Sequence, residues 1–134
     1  MESAIKMNQN FESIGKTFVG QYYTRFDDPA KQNTLEELYS DTESLMTFDG
    51  HQILGGKKIL EKIKSLQFKK INREISSVDS QPSLDGAVMV HVVGRLQCDK
   101  NPSIAFSQVF LLKPSKNTFY VVHDIFRIVP QSRD

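Results

Sequence analysis

Residues 87–129 of the chain read AVMVHVVGRLQCDKNPSIAFSQVFLLKPSKNTFYVVHDIFRIV. Three runs rich in β-branched and aromatic residues stand out, at 87–98, 104–113 and 118–129. Two short turn sequences separate these runs, Asn101-Pro102 and Pro114-Ser115-Lys116-Asn117. Long strands joined by short turns predict an antiparallel meander. A fourth β-rich run precedes them at 68–78 and ends before a turn around Gln81-Pro82 and Asp85-Gly86.

The residues before this meander carry helical patterns. Residues 10–26 predict a long amphipathic helix, whose apolar stripe is Phe11, Ile14, Phe18, Val19, Tyr22, Tyr23 and Phe26. Asp28-Pro29 combines an N-cap acceptor with a proline at the first helical position, and predicts a second helix through Leu35, Leu38 and Tyr39. Residues 57–66 predict a third helix with lysines on its solvated face.

A short hairpin lies between the second and third helices. Residues 45–48 and 51–54 flank Asp49-Gly50, a dipeptide that readily supplies the positive φ angles of a tight turn. Helices first and long strands afterwards predict an α+β domain with helices on one face of a bent sheet. A chain of 134 residues suits one core, so we expect a single domain over residues 1–134.

Both faces of the predicted sheet are apolar, because side chains alternate across a strand. One set comprises Val92, Leu96, Cys98, Ile104, Phe106, Phe110, Val122 and Phe126. The opposite set comprises Met89, His91, Val93, Val109, Leu111, Val121 and Ile125. Three helices can cover only one face, so the second set predicts a homodimer interface that includes Met89, His91, Val109 and Ile125. The alternative is a bent sheet that wraps its own second face.

Composition narrows the function classes. A formal charge of +1 gives no overall field toward nucleic acid or a membrane surface, so neither is an expected partner. The single cysteine, Cys98, cannot form an intrachain disulfide, and no metal-ligand spacing is present. Met1–Lys6 lack the apolar core of a secretory signal, and no apolar run approaches the roughly 20 residues of a membrane span.

The sequence offers little for catalysis. It contains no glycine-rich phosphate loop, nucleophile elbow or zinc-binding helix motif, so we expect no enzyme and no cofactor. His123 and Asp124 are adjacent in a strand and therefore point to opposite faces. Asp49 follows Phe48, and Asp99 follows Cys98, which places carboxylates beside apolar residues at element ends. Such a site suits an inserted aromatic side chain flanked by a cation, although aspartate also simply favours turns.

Eight stretches together resemble the nuclear transport factor 2 family, and the resemblance runs from about residue 11 to 128. In order they are FESIG at 11–15, FVGQYYTRFD at 18–27, FDG at 48–50, LQFKKI at 66–71, DSQP at 79–82, VVGRL at 92–96, FSQVFLL at 106–112 and HDIFR at 123–127. The resemblance implies a cone-shaped fold of three helices on a curved antiparallel sheet, dimerised through that sheet. It also implies a carrier that moves between cytoplasm and nucleus through the nuclear pore.

The resemblance further implies partners and site residues. The family takes the GDP-bound GTPase Ran into the nucleus by inserting an aromatic side chain of Ran into an apolar cavity. By position that cavity is lined by Phe48, Leu66, Phe68, Ile71, Leu96, Cys98, Ile104, Phe106 and Phe126. Asp49 and Asp99 are the expected acids at its rim, and Phe11 is the expected contact for Phe-x-Phe-Gly repeats of nucleoporins.

Four positions depart from the family pattern. Phe11 and Phe48 stand where tryptophan is common, Asn101 where a second rim acid is usual, and Arg73 where histidine is common. Two alternatives share the fold: a small isomerase or dehydratase, and a nuclear-pore export adaptor that pairs with a different chain. An enzyme of this fold would need a catalytic Asp or His inside the cavity.

Overall fold

The computed structural model describes residues 7–130, so the expectation for Met1–Lys6 lies outside the described residues. The described chain contains helix α1 (Phe11–Phe26), a 3-10 helix (Gln32–Leu38), strands β1 (Leu45–Phe48) and β2 (His51–Leu54), helix α2 (Gly56–Ser65), and strands β3 (Ile71–Pro82), β4 (Val88–Cys98), β5 (Ile104–Ser115) and β6 (Thr118–Val129). A short 3-10 turn, Leu84–Gly86, joins β3 to β4. This is the predicted α+β order of helices followed by long strands.

Helix α1 buries the stripe that its periodicity predicts. Phe18, Val19, Tyr22, Tyr23 and Phe26 are buried against the sheet, while the intervening polar residues face solvent. Neither α-helix in residues 7–130 has the length and apolar character that crossing a bilayer requires.

The second helix differs in type and start from the prediction. Asp28 Oδ1 accepts a hydrogen bond from the Ala30 amide at 3.0 Å, which forms a local turn where the helix was expected to begin. The chain then enters a 3-10 helix at Gln32, whose Nε2 donates to the Phe26 carbonyl at 3.0 Å. This bond ties the 3-10 helix to the end of α1.

The six strands form one curved sheet in the order β2-β1-β6-β5-β4-β3. The predicted antiparallel sheet is mixed at one pair of strands, because β1 runs parallel to β6, with Leu45 opposite His123 and Phe48 opposite Phe126. The meander itself is antiparallel from β3 to β6 as predicted. A hairpin turn fixes the direction of β2 against β1, but not the direction of that hairpin against β6, whose paired residues lie 78 positions further along the chain (Leu45 to His123).

The two predicted sheet faces are correct except on β6. A β-bulge places Leu111 opposite His123 but Leu112 opposite Val121, so one residue of β6 is extra there. Val121 therefore points into the core and is fully buried, and Val122 is only half-buried, which reverses their predicted faces. The helices cover the inner face, and Met89 and Ile125 on the outer face remain 42% and 49% exposed.

Candidate functional site

A pocket of about 260 Å³ opens where the ends of β1, β3, β4, β5 and β6 meet the segment after α2. Its walls are mainly apolar. The lining residues are Phe26, Met46, Phe48, Leu66, Phe68, Ile71, Arg73, Leu96, Cys98, Asp99, Asn101, Ile104, Gln108, Phe126 and Ile128. Every apolar residue expected at the cavity lines this pocket except Phe106.

Phe106 lies behind the pocket wall instead of in it. Its ring is fully buried and packs against Phe126 at a centroid distance of 5.9 Å, while the Arg73 guanidinium covers it at 5.1 Å. Alternation correctly puts Phe106 on the inner face, but it cannot tell which inner residues are covered by a second layer.

The pocket has an inner end, where the lining side chains are buried, and a mouth, where they are exposed to solvent. At the inner end the side chain of Arg73 is 5% exposed and Gln108 is 3% exposed. At the mouth Leu66, Asp99 and Ile104 are exposed. A ligand entering past the mouth therefore meets apolar walls first and two buried polar side chains last.

Asp99 is held at the mouth by the segment that precedes β3. Its Oδ1 accepts hydrogen bonds from the Lys69 and Lys70 amides, each at 2.9 Å, and its amide donates to the Lys70 carbonyl at 2.8 Å. These contacts occupy Oδ1, and no hydrogen bond to Oδ2 exists within the described chain. The Asp99 carboxylate thus has a fixed position and a second oxygen for a partner's cation.

Asp49 lies at the edge of the same pocket without lining it. Its Oδ1 accepts a hydrogen bond from the Ile128 amide at 3.1 Å and faces Arg127 Nη1 at 3.6 Å. Asp49, Gln67 and Asp99 have φ angles of 48°, 52° and 54°, a strained region for residues other than glycine. Asp99 lines the pocket, and Asp49 and Gln67 each follow a lining residue, whereas Asp85 and Lys116 have the same backbone conformation in turns away from it.

Arg73 is the charged group at the inner end that the cavity prediction did not include. Its Nε and Nη2 donate to the Asp27 carboxylate, with distances from 2.6 to 3.2 Å, and its guanidinium carbon lies 4.0 Å from the Tyr23 ring centroid. The two opposite charges lie side by side, so the pair neutralises charge at the inner end.

A second buried polar cluster lies behind the pocket. Asp124 is fully buried and accepts hydrogen bonds from Gln108 Nε2 at 2.8 Å and the Tyr39 hydroxyl at 2.7 Å. Burial raises the pKa of Asp124 to about 6, although the hydrogen bonds from Gln108, Tyr39 and Tyr22 lower it. Asp124 does not line the pocket, and Gln108 stands between the two. As predicted, His123 points to the opposite face and is exposed.

The remaining nucleophile and ligand candidates offer no catalytic site in the described part of the chain. Burial raises the pKa of the Cys98 thiol, which lines the pocket in its unreactive protonated form. His91 is exposed and lies 3.1 Å from Ser107 Oγ, and His51 is exposed in β2. Within residues 7–130 no His, Cys, Asp and Glu group is arranged to hold a metal ion.

Phe11 begins α1 and packs half-buried against the core. One edge of its ring is therefore available at the surface, beside the exposed Glu12. This position is separate from the pocket, because none of the pocket-lining residues comes from the first half of α1.

Comparison with known proteins gives a consistent result over nearly the whole chain. Residues 14–128 match the model of the nuclear transport factor 2 (NTF2) domain. A probable nuclear transport factor 2 of Caenorhabditis elegans is 39% identical over 128 residues, covering 92% of this chain and 96% of the relative. Nuclear transport factor 2 of Saccharomyces cerevisiae is 42% identical, covering 91% and 97%. The solved structure of nuclear transport factor 2 from Cryptosporidium parvum superposes with a TM-score of 0.87 at 37% identity, covering 94% of this chain and all of that one.

Proposed function

The chain belongs to the nuclear transport factor 2 family, a family of transport carriers and not of enzymes, and from this premise we propose that it carries GDP-bound Ran into the nucleus. The same proposal includes weak binding to Phe-Gly repeat nucleoporins during passage through the pore. The observation that supports it best is the apolar pocket with a carboxylate fixed at its mouth. No cofactor is part of the proposal.

The pocket suits an aromatic side chain of a partner protein. Burying such a ring among Phe48, Phe68 and Phe126 removes apolar surface on both sides from water. A few buried aromatic anchors commonly supply most of the affinity of an interface. Pocket insertion therefore accounts for partner binding without any large flat contact.

The acids at the mouth favour a partner whose aromatic residue lies beside a cation. Asp99 offers its free Oδ2, and Asp49 is held nearby by the Ile128 amide. A cation reaching Asp49 must compete with Arg127, which lies 3.6 Å away. We therefore propose Asp99 as the stronger of the two contacts, with Asn101 beside it as a neutral neighbour.

The proposed selectivity for GDP-bound Ran arises because the pocket contacts the two nucleotide forms of Ran differently. The switch region of a GTPase changes conformation with the nucleotide, and the pocket binds the conformation that presents its aromatic side chain. A site that binds one conformation more tightly than the other shifts binding toward that form.

The proposed nucleoporin contact is Phe11, whose ring is half-exposed at the start of α1. A phenylalanine presents less apolar area than the tryptophan common in the family, which lowers the affinity of each contact. Weak contacts suit passage through a pore, because each repeat must be released rapidly, and two copies of Phe11 in a dimer raise avidity.

The proposed working form is a homodimer found in both cytoplasm and nucleus and concentrated at the pore. The outer sheet face supports it, since Met89 and Ile125 are large apolar residues left uncovered in one chain. The neighbouring His91 and Val109 complete the proposed interface.

Calorimetric titration of the purified chain with Ran tests the proposal. We expect tight binding to Ran loaded with GDP and binding to the GTP form weaker by at least an order of magnitude. Asp99→Asn keeps an oxygen for the Lys69 and Lys70 amides but removes the charge, so we expect roughly five- to tenfold weaker binding to the GDP form. The loss should shrink as salt is raised, because salt screens the wild-type contact.

Asp85→Asn is the matched control. Asp85 also has a left-handed φ, of 57°, and lies in a turn at the other end of β4, roughly 30 Å from Asp99 along the strand. This variant should bind like the wild type. Equal affinity for the two nucleotide forms of Ran, or equal losses in the Asp99 and Asp85 variants, contradicts the proposal.

A further inference from the structure

The inner end of the pocket contains a hydrogen-bond donor that nothing in the described chain satisfies. Arg73 uses Nε and Nη2 on Asp27, and its Nη1 is buried without any partner among residues 7–130. Buried donors are nearly always paired, and an unpaired nitrogen on a charged group is especially costly. The guanidinium is planar, so Nη1 lies on the edge turned away from Asp27.

Gln108 lines the same pocket as Arg73 and carries an acceptor. Its Oε1 accepts from the Tyr23 hydroxyl at 2.6 Å and keeps a second lone pair, while its Nε2 is used on Asp124. Arg73 stacks on the same Tyr23 ring, so both polar groups flank one side chain at the inner end. One free donor and one free acceptor match a hydroxyl, which accepts one hydrogen bond and donates another.

The net charge at the inner end and the volume of the pocket limit which kinds of ligand fit. Asp27 already neutralises Arg73, and the buried Asp124 lies behind Gln108, so a carboxylate ligand gains no net attraction at this end. A cavity of about 150 Å³ holds a benzene ring, and this pocket measures about 260 Å³. A single ring with a polar substituent therefore fits with room to spare.

We propose that the pocket binds neutral phenols, with the ring between the apolar walls and the hydroxyl between Arg73 Nη1 and Gln108 Oε1. The phenol is either a free small molecule or a tyrosine side chain, since both present the same group. The proposal rests on the pocket alone and does not depend on Ran binding. A bound phenol and an aromatic side chain of a partner would occupy the same space and compete.

Binding of p-cresol and toluene to the wild-type chain, followed by amide chemical shifts in NMR titrations, tests the proposal. The two molecules differ by the hydroxyl alone. We expect p-cresol to bind roughly tenfold tighter and to shift amides of the pocket residues, because a site built to hydrogen-bond a hydroxyl discriminates against the analogue that lacks it. Equal binding, tighter binding of toluene, or shifts confined to amides outside the pocket overturns the proposal.

Two variants of Arg73 test whether the hydroxyl contact, and not only apolar contact with the ring, determines the preference for p-cresol. Arg73→Lys keeps a cation for Asp27 but removes the planar second donor, and the double variant Asp27→Asn/Arg73→Met removes the ion pair without leaving a lone buried charge. Both should lose the preference for p-cresol while still binding toluene. Gln52→Ala, at an exposed position in β2 that does not line the pocket, should keep the preference. A preference that survives in both Arg73 variants overturns the proposal.

N-acetyl-tyrosinamide and N-acetyl-phenylalaninamide distinguish the two sources of the phenol. Tighter binding of the tyrosine derivative identifies a tyrosine side chain as a ligand. Binding of p-cresol without binding of either amide identifies free phenols. Titration with Ran in the same samples is independent of these results, so failure of the Ran proposal and failure of this one are distinguishable.

Discussion

Asp124 is a carboxyl group enclosed by hydroxyl and amide donors in the centre of the protein. The Tyr22 and Tyr39 hydroxyls lie 2.7 Å apart, and Tyr39 donates to Asp124 Oδ2. Burial and the nearby Asp124 charge raise the pKa of both tyrosines well above the ordinary value, so they stay protonated as donors. The hydrogen bonds offset only part of the cost of removing the carboxylate from water, which is why its pKa rises.

The raised pKa of Asp124 makes the free energy of unfolding depend on pH. Between its ordinary pKa of 3.8 and about 6, the folded state holds the proton that the unfolded state releases, so stability decreases as pH rises through this window. Asp124→Asn removes this titration. Its side-chain oxygen can still accept from Tyr39, but its nitrogen faces the Gln108 Nε2 donor, which lowers the stability of the variant at every pH. We expect the difference in stability to move in favour of the variant from pH 4 to pH 7, by up to about 3 kcal/mol.

Urea unfolding at several pH values measures this change, and Glu61→Gln, at an exposed position in α2, serves as the control. The control should follow the wild type across the whole range. Parallel pH profiles for the wild type and Asp124→Asn would show that Asp124 has an ordinary pKa in the folded protein.

Some residues of the pocket could be predicted from sequence patterns and others could not. The apolar wall was predictable, because Phe48, Phe68 and Phe126 are large apolar residues at positions that the family resemblance marks. Gln108 carries a signal that the prediction missed: it lies between Phe106 and Phe110 in the inner phase of β5, where a polar residue needs buried partners. No sequence signal predicts the Arg73–Asp27 ion pair, because 46 residues separate the two. Only the packing of α1 on β3 brings them together.

At the scale of elements, helix α1 lies close to the sheet at Gly15. A Cβ at Gly15 would overlap Ser80 Oγ and lie 3.1 Å from Ser80 Cβ and 3.3 Å from Val90 Cγ2. A Cβ at Gly20, on the solvent side of the same helix, would have no neighbouring side chain within 4 Å among the described residues. The two glycines share one helix but have opposite surroundings.

Alanine substitution should change the stability of the protein in opposite directions at these two glycines. In a helix interior Gly→Ala stabilises by roughly 1 kcal/mol, and Gly20→Ala should show this gain in thermal and urea unfolding. Gly15→Ala should lose stability by roughly 1–3 kcal/mol, because α1 must move away from β3 or Ser80 must rearrange. Adding Ser80→Ala should recover part of that loss. A stabilising Gly15→Ala would show that α1 packs less closely on β3 than described.

The helices and strands themselves were easier to predict than how they pair and where they are irregular. Periodicity gave the bounds of α1 and the β1–β2 hairpin because both follow from local residues. The β6 bulge, the parallel pairing of β1 with β6 and the 3-10 form of the second helix depend on contacts between distant parts of the chain. A bulge is the clearest case, since one extra residue reverses every face assignment beyond it, as Val121 and Val122 show.

At the scale of the whole molecule, a row of side chains at the centre of the outer face crosses the described sheet from edge strand β3 to β1. In register from β3 to β1 the row runs Asp79, His91, Val109, Ile125 and Thr47. Its apolar members lie in the middle and its polar members at the ends, which is the arrangement of an interface core with a polar rim. A two-fold axis near Val109 would lay this row across its own copy and cover the apolar centre.

Ile125→Glu tests this assembly for the whole protein. Ile125 is 49% exposed in one chain, so a glutamate there costs the single protomer little, whereas in a dimer it would bury two unpaired charges. We expect the wild type to have the mass of a dimer by light scattering and Ile125→Glu the mass of a monomer with unchanged circular dichroism. Leu84→Glu, in the turn between β3 and β4 and 57% exposed, is the control and should remain a dimer. A wild-type monomer, or an Ile125→Glu variant that keeps the dimer mass, would place the interface elsewhere and leave the apolar row to another partner.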